Sequence, residues 1–214
     1  MTAADFVPVF DAVAKSWEER DREIAEEREE RERKLAAEAR VRWNENMIRA
    51  GVPGRRLEEA LAADVDLEAP AIKALDSWSE DRNILVIAGP IGVGKTIAAV
   101  LWLQANGGRR PLFMRASAFE ARGRYDHDTR QAWERSTGFV LDDLGVEYTD
   151  ARGNFAALLD ELVDLYTGGH AGLVITTNLD ASKFRERYGE RVASRIVKFG
   201  NWRNIRGEDR RRRR

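Results

Sequence analysis

The sequence predicts an α/β fold in which a parallel sheet lies between helices, and three observations predict it. Short unbroken apolar runs recur at residues 84–88 (ILVIA), 112–114 (LFM), 139–141 (FVL) and 173–176 (LVIT). Helical patterns separate them, at residues 95–104, 126–134 and 154–166. The first run leads straight into a glycine-rich loop that opens a helix. A strand that is apolar at every position is buried on both faces, which is the condition of a parallel sheet covered by helices. Ligands of such sheets bind beyond the carboxyl ends of the strands, so the strand ends are where chemistry is sought.

Taken in order, residues 18–34 (EERDREIAEEREERERK) are nearly all charged, with Glu18/Arg22, Glu27/Arg31, Glu29/Arg33 and Glu30/Lys34 spaced four apart, acid first. That order supports an exposed helix by about 0.2–0.5 kcal/mol per pair. Ile24 and Leu35 are the only apolar residues between Trp17 and Val41 apart from alanines, too few for a coiled-coil seam. Residues 1–50 therefore form a charged helical N-terminal extension, either a solvated helix or linker or an arm that docks a partner. The segment 51–74 opens with a Gly-Val-Pro-Gly turn and continues as an irregular helical stretch broken at Pro70. The strand and helix patterns follow, and the last strand is read as the run from Val174 to Asn178.

The loop after the first strand is Gly89-Pro90-Ile91-Gly92-Val93-Gly94-Lys95-Thr96. It matches G-x-x-x-x-G-K-[ST] in the strand, loop, helix context that the motif requires. Glycines let the backbone come close enough for successive N–H groups to cradle phosphate oxygens, and the helix that follows adds its positive dipole end. Lys95 reaches the β- and γ-phosphates as a point charge, and Thr96 holds Mg²⁺ through its hydroxyl. The alternative is a plain glycine-rich turn.

The third strand ends in Asp142-Asp143, followed by Leu144-Gly145. Two adjacent carboxylates at a strand end repel each other unless a cation sits by them. Asp142 is the expected Mg²⁺ partner and Asp143 the group that orients the attacking water; a turn or helix cap is the plainer account of such a pair in isolation. Asn178, at the end of the fourth run, offers a neutral hydrogen bond to the water or the γ-phosphate, or else caps the next turn.

Together these strand ends resemble the AAA+ ATPases, with Asn178 as the first sensor. Finer detail resembles the DnaC/IstB-like bacterial and phage helicase loaders and transposition helpers: the turn Gly51-Val52-Pro53, GPIGVGKT, LDDLG with Asp143 in place of the commoner Glu, ITTN, and RYGERVASRI from Arg187. The resemblance covers roughly residues 50–210. It implies ATP and Mg²⁺ as cofactors, self-association into a ring or spiral, and an arginine finger from the RVASRI segment, Arg195 first and Arg191 second. Only 214 − 195 = 19 residues follow Arg195, so no C-terminal lid domain of several helices is expected after it. Loaders of this kind place an aromatic and basic element after the second strand to meet single-stranded DNA, which picks out Phe119, Arg122, Arg124 and Tyr125; an ordinary amphipathic helix and loop is the competing account.

Composition limits the partners. The formal net charge is -1, so DNA contact must be local rather than a basic coat. With no Cys and two His there is no disulfide scaffold, thiol nucleophile or zinc ribbon. No signal-peptide pattern and no apolar run of about 18 residues is present, so a soluble cytoplasmic protein with no membrane partner is expected. The expected organisation is the extension at 1–50, an AAA+ ATPase domain at 51–205 and a basic tail at 206–214 that ends in five arginines. The resemblance points first to an ATP-dependent loader that delivers a replicative hexameric DNA helicase to single-stranded DNA. A transposition helper that binds duplex DNA and a transposase, and a non-hydrolysing ATP-responsive adaptor, are the alternatives.

Overall fold

The computed structural model describes residues 7–78, 82–123, 126–147, 154–169 and 171–209, and it divides between Glu45 and Asn46 into two compact units. Helix α1 (Val7–Arg49) makes up the first unit and contributes its last residues, from Asn46 onward, to the second. Residues 24–42 are exposed throughout, so side-chain pairs rather than burial support this helix. Arg33 meets Glu29 at 2.6 Å and Lys34 meets Glu30 at 2.7 Å, two of the four acid-first pairs of the sequence.

In the second unit five parallel strands form one sheet: β1 (Ile84–Ala88), β2 (Pro111–Arg115), β3 (Gly138–Leu144), β4 (Gly172–Thr177) and β5 (Gly200–Asn204), in the order β2-β3-β4-β1-β5. The first four coincide with the apolar runs, and β1 matches its run residue for residue. The fifth corrects the expectation that the strand ending at Asn178 is the last one. GNWRN carries no apolar run, because β5 is an edge strand whose residues after Gly200 are only partly buried or exposed. Its register against β1, Ile84 opposite Gly200 through Ala88 opposite Asn204, makes it a full member of the sheet.

The helices of this unit are α2 (Gly54–Leu61), α3 (Pro70–Lys73) with a 3₁₀ turn at Ala74–Ser77, α4 (Lys95–Asn106), α5 (Ala116–Gly123), α6 (His127–Arg135), α7 (Asn154–Thr167), α8 (Ala181–Tyr188) and α9 (Glu190–Phe199). Pro70 starts α3, in the first turn where its missing N–H goes unneeded. Asp126 caps α6 by accepting the Asp128 N–H at 3.1 Å. Strand alternation then sorts the core. Ile84, Val86, Phe139, Leu141, Leu173 and Ile175 join Phe119, Trp133, Phe155, Phe184 and Ile196 of α5–α9 in one apolar cluster. The intervening Leu85, Val140 and Val174 are equally buried and lie on the face covered by α4, which packs on β3 and β4.

Phe119 belongs wholly to this core. Its ring is fully buried and lies 4.7 Å from that of Trp133 and 5.9 Å from that of Phe155, centroid to centroid. The expectation that it stacks on DNA bases is therefore corrected: Phe119, the fourth residue of α5, faces inward and packs in the core. Arg124 and Tyr125 lie outside the described residues, as does the side chain of Arg122. Phe119→Ala is expected to destabilise the fold by about 3–5 kcal/mol in urea unfolding, and DNA affinity measured on the fraction that remains folded should stay unchanged.

Candidate nucleotide-binding site

The phosphate loop joins β1 to α4, and its shape depends on residues without a Cβ. Gly92 has φ +82° and Gly94, the N-cap of α4, has φ +92°, a region that L side chains rarely enter. A Cβ on Gly92 would also strike the Asp209 side chain, because the chain after β5 runs along the loop. Ile205 begins this path by donating its N–H to the Ala88 carbonyl at 2.6 Å. Lys95 is buried and its Nζ donates to the carbonyls of Gly89 at 2.8 Å and Pro90 at 2.7 Å and to Asn178 Oδ1 at 2.7 Å. The lysine and the first-sensor candidate are thus in direct contact, although 83 residues separate them in sequence.

The acidic pair sits on a bulge. Between Leu141 and Leu144 the register of β3 advances three residues while β4 advances two, from Ile175 to Thr177. Asp143, inside this step, has φ +56°, the left-handed conformation that Asp tolerates better than most residues. Strict alternation would put Asp143 on the same face as Leu141, in the apolar cluster. The extra residue instead lets Leu144 join Leu141 there, and Asp143 lines the cavity. Asp142 is buried and accepts hydrogen bonds from Thr176 Oγ1 at 2.6 Å and Thr96 Oγ1 at 3.0 Å. Burial pushes its carboxyl above the usual range, the Thr176 hydroxyl opposes that rise, and the neighbouring charge of Asp143 adds to it. The Asp143 N–H donates to Thr176 Oγ1 at 2.9 Å, so one hydroxyl holds both acids.

These groups open onto one cavity of about 790 Å³ whose wall includes Gly92, Gly94, Lys95, Thr96, Asp143 and Asn178. The opposite wall comes from Pro53, α2 and the segment up to Ile72. The Thr96 hydroxyl and Asp142 carboxylate are hard oxygen donors side by side, suited to Mg²⁺, which takes one or two protein carboxylates and completes its shell with phosphates and water. Among the described residues no group of three or more His, Asp or Glu is placed to hold a metal ion. Sequence reading missed three residues of this site: Thr176, and Arg56 and Arg115 in the cavity wall. Arg115 stands at the carboxyl end of β2, so the strand-end rule alone could have found it; Thr176 lies inside the ITTN segment, where Asn178 drew the attention, and no motif marks Arg56.

No protein-family model and no curated protein matches the sequence. Solved structures do match. The DnaC helicase loader is 21% identical over 64% of this chain and 86% of its own, with a TM-score of 0.50. A primosome component from Streptococcus pyogenes serotype M3, so described only provisionally, is 14% identical over 74% and 92%, with a TM-score of 0.54. DnaA from Aquifex aeolicus, solved with AMPPCP, is 17% identical over 71% and 50%, with a TM-score of 0.50. The chain has the AAA+ P-loop fold. At these identities the likeness is one of architecture.

The arginines expected to act between subunits of an AAA+ assembly lie on α9, away from the cavity wall. Arg195 donates to Asp160 of α7 and pairs with Asp164 at 2.9 Å, leaving its side chain 21% exposed. Arg191 pairs with Asp160 at 3.1 Å and is 74% exposed. The residues after β3 are tied to the same helical layer: buried Glu147 accepts from Gly145 N–H at 2.7 Å, Arg187 Nε at 3.1 Å and Tyr188 Oη at 2.5 Å. Thr176→Val removes one hydrogen-bond partner from each acid, leaving Asp142 with Thr96 alone, and is expected to cost about 1–3 kcal/mol in urea unfolding. In an Asp142→Asn background the loss should shrink by about half or more, since a buried neutral amide suffers less than a carboxylate from a missing donor.

Proposed function

We propose that this chain is an ATPase that loads a replicative hexameric DNA helicase onto single-stranded DNA, working in the cytoplasm as a self-assembled ring or spiral. The observation that carries the ATPase part is the convergence of the phosphate loop, Lys95, Thr96, Asp143 and Asn178 in a single cavity, with Asp142 buried behind it on the Thr96 hydroxyl. In this reading the loop amides and Lys95 bind the phosphates, and Lys95 exchanges its loop carbonyls for phosphate oxygens. Thr96 and Asp142 hold Mg²⁺, which neutralises charge on the phosphate oxygens. Asp143 accepts a hydrogen bond from the attacking water and orients it, and Asn178 hydrogen-bonds the same water or the terminal phosphate without adding charge.

Three features support the loader part: the motif resemblance of residues 50–210, the shared fold with a helicase loader, and the shared fold with DnaA, which has been solved with AMPPCP and single-stranded DNA. Residues 1–50 serve as the helicase-docking arm, residues 51–205 as the ATPase domain and residues 206–214 as a basic tail. No helix among the described residues is long and apolar enough to cross a membrane. Arg195 acts on the nucleotide of a neighbouring subunit, and to do so it must exchange Asp160 and Asp164 for phosphate.

Steady-state hydrolysis is measured against protein concentration without DNA, with single-stranded DNA and with duplex. A rate per subunit that rises with concentration, and most with single strands, is expected. Stimulation by duplex alone would instead indicate a transposition helper, and tight ATP binding with no turnover an adaptor. Asp143→Asn should cut turnover by about 100-fold or more with ATP affinity retained, and Lys95→Ala should lose nucleotide binding. Arg195→Ala should bind ATP as monomer normally and lose about 10³-fold or more of assembly-dependent turnover; wild-type activity of this variant in mixed assemblies would remove it as the finger.

A further inference from the structure

The cavity carries positive charge that the phosphate loop does not supply. Arg115 closes β2, where its register partner on β3 is Asp142, the buried acid of the site. It lines the same cavity as Lys95, Thr96 and Asp143. Its side chain is exposed, and it has no hydrogen bond or ion pair among the described residues. Arg56 reaches the cavity from α2. It is oriented by Glu59, which takes Arg56 Nη1 at 2.7 Å and Arg55 Nε at 3.1 Å, so two guanidinium groups share one carboxylate. Its charge is felt at Asp142, where it favours the ionised form. Both arginines therefore share one cavity wall with Asp143 and Asn178, the groups that would meet the reacting phosphate.

We propose that Arg56 and Arg115 bind the terminal phosphate of the triphosphate in cis, as two cations from outside the loop motif that distinguish ATP from ADP. The inference rests on the ATPase reading above. A guanidinium offers planar paired donors suited to phosphate oxygens, and a polyanion supplies the counter-charge that Arg115 lacks. Arg56 is held in place by Glu59 beforehand, so little side-chain freedom is lost when phosphate arrives.

Calorimetric titration of the full chain with ATP and with ADP, both with Mg²⁺, tests this. Arg115→Ala and Arg56→Ala should each weaken ATP by roughly tenfold or more and leave ADP within about twofold. Arg115→Lys, which keeps the charge but not the fork, should recover part of the loss. Equal weakening of ATP and ADP, or no change in either, overturns the proposal. A fall in turnover with both affinities intact also overturns it, because the arginines would then be acting on Asp143 and not on phosphate. Arg115 is exposed, so its variants carry the test even if Arg56→Ala fails to fold. Wild type that binds neither nucleotide defeats the ATPase reading itself, whereas wild type that binds ATP beside unaltered variants defeats only this inference.

Discussion

One buried carboxylate and two hydroxyls hold the candidate site together. Asp142 accepts from Thr96 on α4 and from Thr176 on β4, so the first turn after the phosphate loop, the acid strand and the sensor strand meet at one oxygen. A buried carboxylate without donors is costly, and these contacts let it stay in the interior beside the phosphate loop. The same Thr176 hydroxyl accepts the Asp143 N–H and so steadies the left-handed residue on the bulge. The bulge in turn depends on the core: Leu144 occupies the apolar face that strict alternation would assign to Asp143. Packing on one side of the sheet thus decides which carboxylate reaches the cavity on the other.

Much of this arrangement was legible in residues because its chemistry is local. Gly92 and Gly94 are required by backbone angles within the loop itself, and four strands announced themselves because a doubly covered strand leaves no position for polar residues. Asp142, Asp143 and Asn178 were recognisable because strand ends are short and few. What escaped depends on tertiary neighbours. β5 pairs along an edge with residues that carry no hydrophobic pattern. Phe119 has the composition of a base-stacking residue and the position of a core residue, and only the ring contacts with Trp133 and Phe155 decide between them. Arg56 enters the cavity because α2 packs on α4, a contact that no spacing in the sequence encodes.

The structure also gives physical form to the link between the site and the helices that carry Arg191 and Arg195. Glu147 lies four residues beyond Asp143 and is buried with three donors around it. One donor, the Gly145 N–H, comes from the turn just after Asp143, and the other two come from Arg187 and Tyr188 at the end of α8. Burial raises the Tyr188 hydroxyl far above its ordinary range, and the Glu147 hydrogen bond adds to that rise, so the phenol stays a donor at every working pH. Arg187 closes the lock a second time by donating Nη2 to the Glu147 carbonyl at 2.7 Å.

This lock has a consequence for how a movement at the acidic pair would spread through the helices. Gly189 follows Tyr188 directly and separates α8 from α9, so α8 is fixed to the turn beyond Asp143 while α9 is held on α7 by ion pairs of Arg191 and Arg195 and in the apolar cluster by Val192, Ala193 and Ile196. The two attachments differ in kind. Glu147 is buried and fully engaged, and removing one partner of such a group is expensive. The Arg191 guanidinium is largely solvated, whereas Arg195, which shares Asp160 with it and also pairs with Asp164, is mostly buried and belongs to a small charge network. A rearrangement at the acidic pair would therefore carry α8 with it before the Glu147 contacts broke, while the burial of Val192 and Ile196 in the apolar cluster keeps α9 on the same core.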